Sequence, residues 1–239
     1  MFELNESFGG KINKQSLSEQ TADQLRAEIQ RQKLTVGSEL PGEIKIAESL
    51  GVSRSVVREA LRVLAAEGMI ELRNGKKPIV SHMNSEVIGR FLSHGLASAQ
   101  ITTQEVSEYR ILVESALARL AALRRNDSQI VEMKQCVEEM AENQRDLEKF
   151  ADADLKLHLI IAQAANNTIF NVLQESASNL IHDGITHGNN ANADFIKPSE
   201  VVEMHRAIVA AIEAGDPTEA EAAMKRSFQY FVTAEDFKL

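Results

Sequence analysis

EIKIAESLGVSRSVVREALRVLAAEGMIELRNGKKPIVS, residues 43–81, contains two short helical patterns followed by a β-like stretch. Ile46, Ala47 and Leu50 make one helix face, Gly51 can take the left-handed conformation that ends it, and Ser53 can cap a second helix. In the second helix Val57, Leu61 and Leu64 form a buried stripe. Arg54, Ser55, Arg58 and Arg62 fall toward the other side and the N-terminal end. Two helices joined by so tight a turn follow helix-turn-helix grammar. A plain helical hairpin with solvated arginines would end near residue 65. Here Gly68 stops the helix, MIELR reads as a strand, Asn74-Gly75 as a hairpin turn and PIVS as the return strand. The expectation is a winged helix-turn-helix.

Upstream, residues 16–34 place Leu17, Ala22, Leu25 and Ile29 on one face of an amphipathic helix, and Gly37 and Pro41 break the chain after it. Downstream, from about residue 84, the chain reads helical to its end. A linker helix is followed by a long helix from the Thr102/Glu105 capping box to Arg125, then by helices over about 127–149, 151–166 and 168–187. Two more follow, Ser199–Ala214 and a last one with Asp216 as cap and Pro217 at its first position. The expected fold is therefore mostly α: an N-terminal winged helix-turn-helix with a small β-hairpin wing, then an all-α antiparallel bundle. The expected domains are 1–83, a linker helix over 84–102 and a bundle over 103–239.

At 239 residues with 44% hydrophobic residues the chain can build two cores. Residues 1–80 carry 12 Lys and Arg against 11 Asp and Glu, while residues 81–239 carry 14 against 24, so the net charge of −9 belongs to the second module. The two modules therefore have different partners. A near-neutral DNA-binding module must rely on a few placed cations and on pairing of chains. No apolar run is long enough for a membrane span, and MFELNESFGGKINK has neither signal-peptide nor transit character, so a cytoplasmic chain without membrane contact is expected. The single cysteine, Cys136, lies at helical spacing among Met133, Val137 and Met140 and reads as a buried thiol.

In DADLKLHLIIAQAANN, residues 152–167, Asp154 and His158 sit one turn apart on an apolar helix. Carboxylate and imidazole at that spacing can grip one divalent ion. The pair alone is weak evidence, and a metal-free carboxylate–histidine pair, exposed or in the core, describes it better. Further ligands could come from His205, which heads the stripe Ile208, Val209, Ile212, and from His182 or His187 on the helix after Asn167.

The run from Leu40 to Val80, with its LP, LGVSRSVVREAL, LAAEGMIE and NGKKPIV segments, resembles the DNA-binding domain of the GntR family of bacterial transcription regulators. The resemblance implies that Arg54 and Arg58 approach bases or phosphates in the major groove, and that Lys45, Ser53, Ser55 and the wing cations Lys76 and Lys77 join the contact. One position departs from the family: Ile44 stands where its LPxER motif has arginine, followed by Lys45, which takes away one expected contact.

ADADLKLHLIIAQAANN and EMHRAIVAAIEAGDPTEAEAAM are similar to the C-terminal effector domain, FCD, of the FadR subfamily of these regulators, over roughly residues 103–234. In metal-binding members the ligands are an Asp and a His one turn apart plus two later His, which the resemblance carries onto Asp154, His158, His187 and His205. It implies Zn, with Ni or Mn as alternatives, and two open positions on an octahedral ion for a small carboxylate or hydroxy acid. Arg110, in the segment YRILVE, is implied as the clamp for that acid, against an alternative in which it forms a surface ion pair with Glu114.

The resulting expectation is an effector-responsive transcription repressor, not an enzyme, that binds a palindromic double-stranded DNA operator as a homodimer. Two alternatives stay open: a hydrolase-type metalloenzyme, for which no acid or base is evident, and a regulator whose metal is purely structural.

Overall fold

The computed structural model describes residues 15–186 and 197–228, with the side chains of 179 and 181–186 left aside. The chain divides into two compact units, residues 1–84 and 85–239.

In the first unit α1 (Leu17–Arg31) starts at a capping box in which Ser16 and Glu19 satisfy each other's backbone N–H groups. α2 (Glu43–Leu50) ends at Gly51, whose φ of 65° is the left-handed conformation the sequence called for. Ser53 caps α3 (Arg54–Ala66) by accepting from the Val56 N–H. Val57, Leu61 and Leu64 are almost completely buried among Ala22, Ile29 and Ile46. Each contributes about 1.5–3 kcal/mol of burial, which holds α3 onto α1 and α2. Arg26 on α1 makes a two-pronged pair with Glu67, the residue that closes α3.

The wing is narrower and better anchored than the sequence suggests. β1 (Ile70–Glu71) and β2 (Ile79–Val80) pair antiparallel, Ile70 opposite Val80 and Glu71 opposite Ile79, and a seven-residue loop, Leu72 to Pro78, joins them. The segment before α2 lies along β2: Gly37 and Leu40 donate to Val80 and Pro78, and Val80 donates back to Ser38. Gly37 and Pro41 thus flank a strand-like partner of the wing.

The second unit consists, among the described residues, of seven helices: α4 (Ser85–Ala97), α5 (Thr103–Arg124), α6 (Asp127–Glu142), α7 (Leu147–Ala164), α8 (Thr168–Thr186), α9 (Pro198–Ala214) and α10 (Pro217–Phe228). α5 packs on α7, α9 and α10; α6 on α7 and α9; α8 between α4 and α7. Leu117, Met133, Cys136, Leu157, Ile161 and Ile208 lie in one core. At Gly89 of α4 a Cβ would stand 3.1 Å from the Ser176 carbonyl oxygen of α8, so that approach needs a residue without a side chain.

Helices are expected over about 127–149 and 151–166, and the break between them falls earlier, at residues 143–146. α6 stops at Glu142, where the Asn143 amide donates to the Glu139 carbonyl, and Asp146 caps α7 through the Lys149 N–H. This break turns α7 back so that ten of its eighteen residues are buried, Asp154 and His158 among them.

Candidate metal centre and basic cleft

α7 carries Asp154 and His158 into the second core, and α9 carries His205 to the same point; all three are at least 90% buried. His205 Nε2 stands 3.0 Å from Asp154 Oδ1 and 3.2 Å from His158 Nε2, and the third side of the triangle, His158 Nε2 to Asp154 Oδ1, is 3.8 Å. Donor atoms sharing a metal ion through bonds of about 2.0–2.2 Å stand roughly 3–3.5 Å apart, so two sides of this triangle have the size of a coordination face.

The outer nitrogens fix the chemistry of the inner ones. His205 Nδ1 lies 2.7 Å from the Val201 carbonyl, which can only accept, so Nδ1 carries the proton. His158 Nδ1 faces the Glu114 carboxylate, again only an acceptor when ionised. In neutral imidazoles both Nε2 atoms are then lone pairs, aimed at each other and at a carboxylate oxygen. Three acceptors converge with no donor among them, and a cation resolves that conflict.

Charges around the triangle follow the same logic. Burial pushes the Asp154 carboxyl up, but His158 and His205 outweigh it and hold the group below the usual carboxylate range. For His205 burial acts downward and the Asp154 carboxylate outweighs it, so the imidazole is raised above its ordinary value. Glu114 is 2% exposed; burial acts upward, but Arg110 and His158 hold it at about 2.

Arg110 donates through Nε to Glu114 Oε1 at 2.9 Å, with its guanidinium carbon 4.8 Å from the Phe228 ring centre. The pair is not a surface one: its two side chains are 15% and 2% exposed. Phe228 also borders His158, with ring centres 6.1 Å apart. His187 lies outside the described residues, as does the side chain of His182.

In the first unit a cleft of about 1010 Å³ opens between the start of α2, α3 and the wing, lined by Lys45, Arg54, Arg58, Arg62, Lys76 and Lys77. Glu43 sits among them, 3.3 Å from Arg58 and 3.8 Å from Arg54. Lys77 pairs with Glu39 at 3.0 Å. Ser53 and Ser55 lie at the start of α3 with their hydroxyls 2.8 Å apart. Ile44, 55% exposed, is part of the same lining.

The profile of the FCD domain matches residues 105–230, more than half of the chain, and that of the bacterial regulatory proteins of the gntR family matches residues 17–78. The chain belongs to the GntR family of bacterial regulatory proteins. This GntR protein is 31% identical over 198 residues to the HTH-type transcriptional regulator LutR of Bacillus subtilis, which covers 82% of this chain and 90% of LutR. It is 29% identical to the galactonate operon transcriptional repressor of Escherichia coli, over 83% of this chain and 88% of the repressor. Its fold is similar to a solved Streptococcus agalactiae GntR structure, with a TM-score of 0.67 and 29% identity over 89% of this chain and 97% of that one. The GntR chain is a transcription regulator with a DNA-binding domain and an FCD domain, and not an enzyme.

The structure brings Asp154, His158 and His205 together; sequence reasoning treated Glu114 as a neighbour of Arg110 and missed that it also faces His158. The signal was present. Glu114 lies three, four and seven residues before Leu117, Ala118 and Ala121, on the inward stripe of α5. Glu43 was missed as the group that gathers Arg54 and Arg58.

Proposed function

We propose that this regulator is a cytoplasmic repressor that binds a palindromic operator as a homodimer and responds to a small carboxylate or hydroxy acid through a divalent metal centre in its FCD domain. Residues 1–83 read DNA, 84–102 link, and 103–239 bind effector and pair the chains. The observation that carries the metal reading is the triangle of three acceptor atoms, from Asp154, His158 and His205, with both outer imidazole nitrogens committed as donors.

His187 is the proposed fourth ligand. Zn is the first choice for nitrogen and oxygen donors, with Ni or Mn as alternatives. When bound, the ion supplies positive charge and open coordination positions to an acid. Arg110, its charge half turned to Glu114 and its face against Phe228, is poised to take the acid's carboxylate. That galactonate, a hydroxy acid, names the operon of one relative supports this class of effector.

In the first unit Lys45, Ser53, Arg54, Ser55, Arg58, Lys76 and Lys77 form the proposed DNA contact. Arg54 and Arg58 are more than half exposed, and ion pairs of that exposure are worth only about 0–1 kcal/mol, so DNA can displace Glu43 at little cost. Pairing through the second unit is supported by large apolar side chains left exposed on two helices that pack together, Phe91 on α4 and Ile169 on α8.

Native mass spectrometry of protein purified without chelator or affinity tag tests the reading. A dimer with one divalent ion per chain, and a released small acid, is the expected result. A metal-free chain that takes up no added Zn, Ni or Mn overturns the metal centre, and a strict monomer overturns the dimer.

A further inference from the structure

Glu114 has no part in the triangle of ligand atoms, yet it is one of the most deeply buried charged groups in the chain, at 2% exposure. Its two oxygens are divided. Oε1 accepts from Arg110 Nε at 2.9 Å, and Oε2 faces His158 Nδ1; neither Oε2 nor that nitrogen has any other hydrogen-bond partner. The carboxylate thus stands between a guanidinium and an imidazole, on a helix that packs directly against α7.

Two consequences follow for His158. A carboxylate at Nδ1 keeps the proton on that nitrogen, which leaves Nε2 as the lone pair aimed into the triangle. A buried anion there also makes the ring a stronger electron donor than a backbone carbonyl would. His205 has only such a carbonyl, that of Val201, at its own Nδ1. The two imidazoles of the centre are therefore not equivalent: one is backed by a neutral dipole and the other by a charge that is itself held by Arg110.

We propose that Glu114 is the positioning residue of the metal centre, fixing the tautomer and orientation of His158, and that Arg110 reaches the centre through it. This assignment rests on the metal reading above. Glu114 does not ligate the ion. Arg110, the proposed acid clamp, is joined to a metal ligand by a single carboxylate, so whatever draws the guanidinium off Oε1 leaves more of the Glu114 charge to His158.

The test uses the full chain with Co2+ alone, whose visible absorption reports its ligand geometry. Glu114→Gln keeps an acceptor but removes the charge, and Glu114→Ala removes both. Loss of an outer-shell partner lowers metal affinity by roughly 10–100-fold, and the expected order is wild type, then Gln, then Ala, each variant with an altered Co2+ band. A carboxylate that merely helps the fold would lower melting temperatures and leave the Co2+ band and affinity of the folded protein as in wild type, which overturns the proposal. Should the variants fail to fold, imidazole 15N shifts of the wild-type Zn2+ form decide: Nδ1–H with Nε2 bound is expected for His158, and the reverse tautomer overturns it. A wild type that takes up no Co2+ or Zn2+ overturns the metal reading itself, a result distinct from metal-binding variants that match wild type.

Discussion

The Nε2 atoms of His158 and His205 lie 3.2 Å apart, each on a ring whose other nitrogen is turned to an acceptor. Two imidazoles so placed cannot both remain neutral and satisfied. A proton or a metal ion must stand between them and Asp154.

Metal uptake should therefore stabilise the second unit. A ligand that binds only the folded state adds about 2.7 kcal/mol at a concentration 100 times its Kd. Adding Zn2+ to chelator-treated protein should raise the melting temperature by several degrees, and EDTA should reverse the gain. Asp154→Ala and His205→Ala should each abolish it; a variant that keeps the full Zn2+ shift shows that its side chain is no ligand.

Arg58→Ala should weaken operator binding by about 1–3 kcal/mol and relax base preference near its contact. Metal uptake should not change. Lys77→Ala should weaken binding to all sequences alike and reduce the slope of log K against log salt by about one. Gel-shift titrations at several salt concentrations read both effects, and unchanged affinity in the Arg58 variant removes it from the interface.

Ile44→Arg restores the residue that the family motif carries, in a cleft where Ile44 is 55% exposed. Tighter DNA binding and a salt slope steeper by about 0.9 are expected, since one more phosphate would be neutralised. Equal slopes would mean that position 44 faces no phosphate.

Burial pushes the Cys136 thiol up to about 11. Because the thiolate is the reactive form, native labelling by a disulfide reagent should stay slow through neutral pH and climb only toward that value. Unfolded protein should react at once. Rapid native labelling at pH 7 contradicts the core position of this residue.

Leu64→Ala should cost the first unit about 2–5 kcal/mol, because Leu64 is 0% exposed and nothing can refill its place cheaply. In denaturant the variant should show an earlier loss of DNA binding while the Zn2+ affinity of the second unit persists. Simultaneous loss of both would show that the units unfold as one.

The elements most legible in the sequence are those whose ends are written locally. Gly51 and Ser53 bound the turn of the helix-turn-helix, and Thr102 with Glu105 starts α5, because each interaction spans only a few residues. The break between α6 and α7 was legible but misplaced, near residue 150 instead of Asn143 to Asp146, since that stretch contains neither Gly nor Pro and the apolar spacing runs on through it. Asp154 and His158 announced themselves as polar residues one turn apart in an apolar helix. Their relation to Glu114, forty or more residues earlier, and that of Glu43 to Arg58 on another helix, depend on how helices cross, which periodicity does not encode. His187 lies outside the described residues, and the fourth ligand stays a proposal.

Each compact unit is one unbroken run of chain, residues 1–84 and then 85–239. Synthesis at about 5–20 residues per second delivers the first unit whole, seconds before α7 and α9 have left the ribosome. The half that grips DNA is complete at a time when no part of the triangle has been made. On the proposed reading the DNA-reading half waits for its own bundle twice over, since the same later stretch of chain brings both the partner that completes the grip and the triangle that would loosen it.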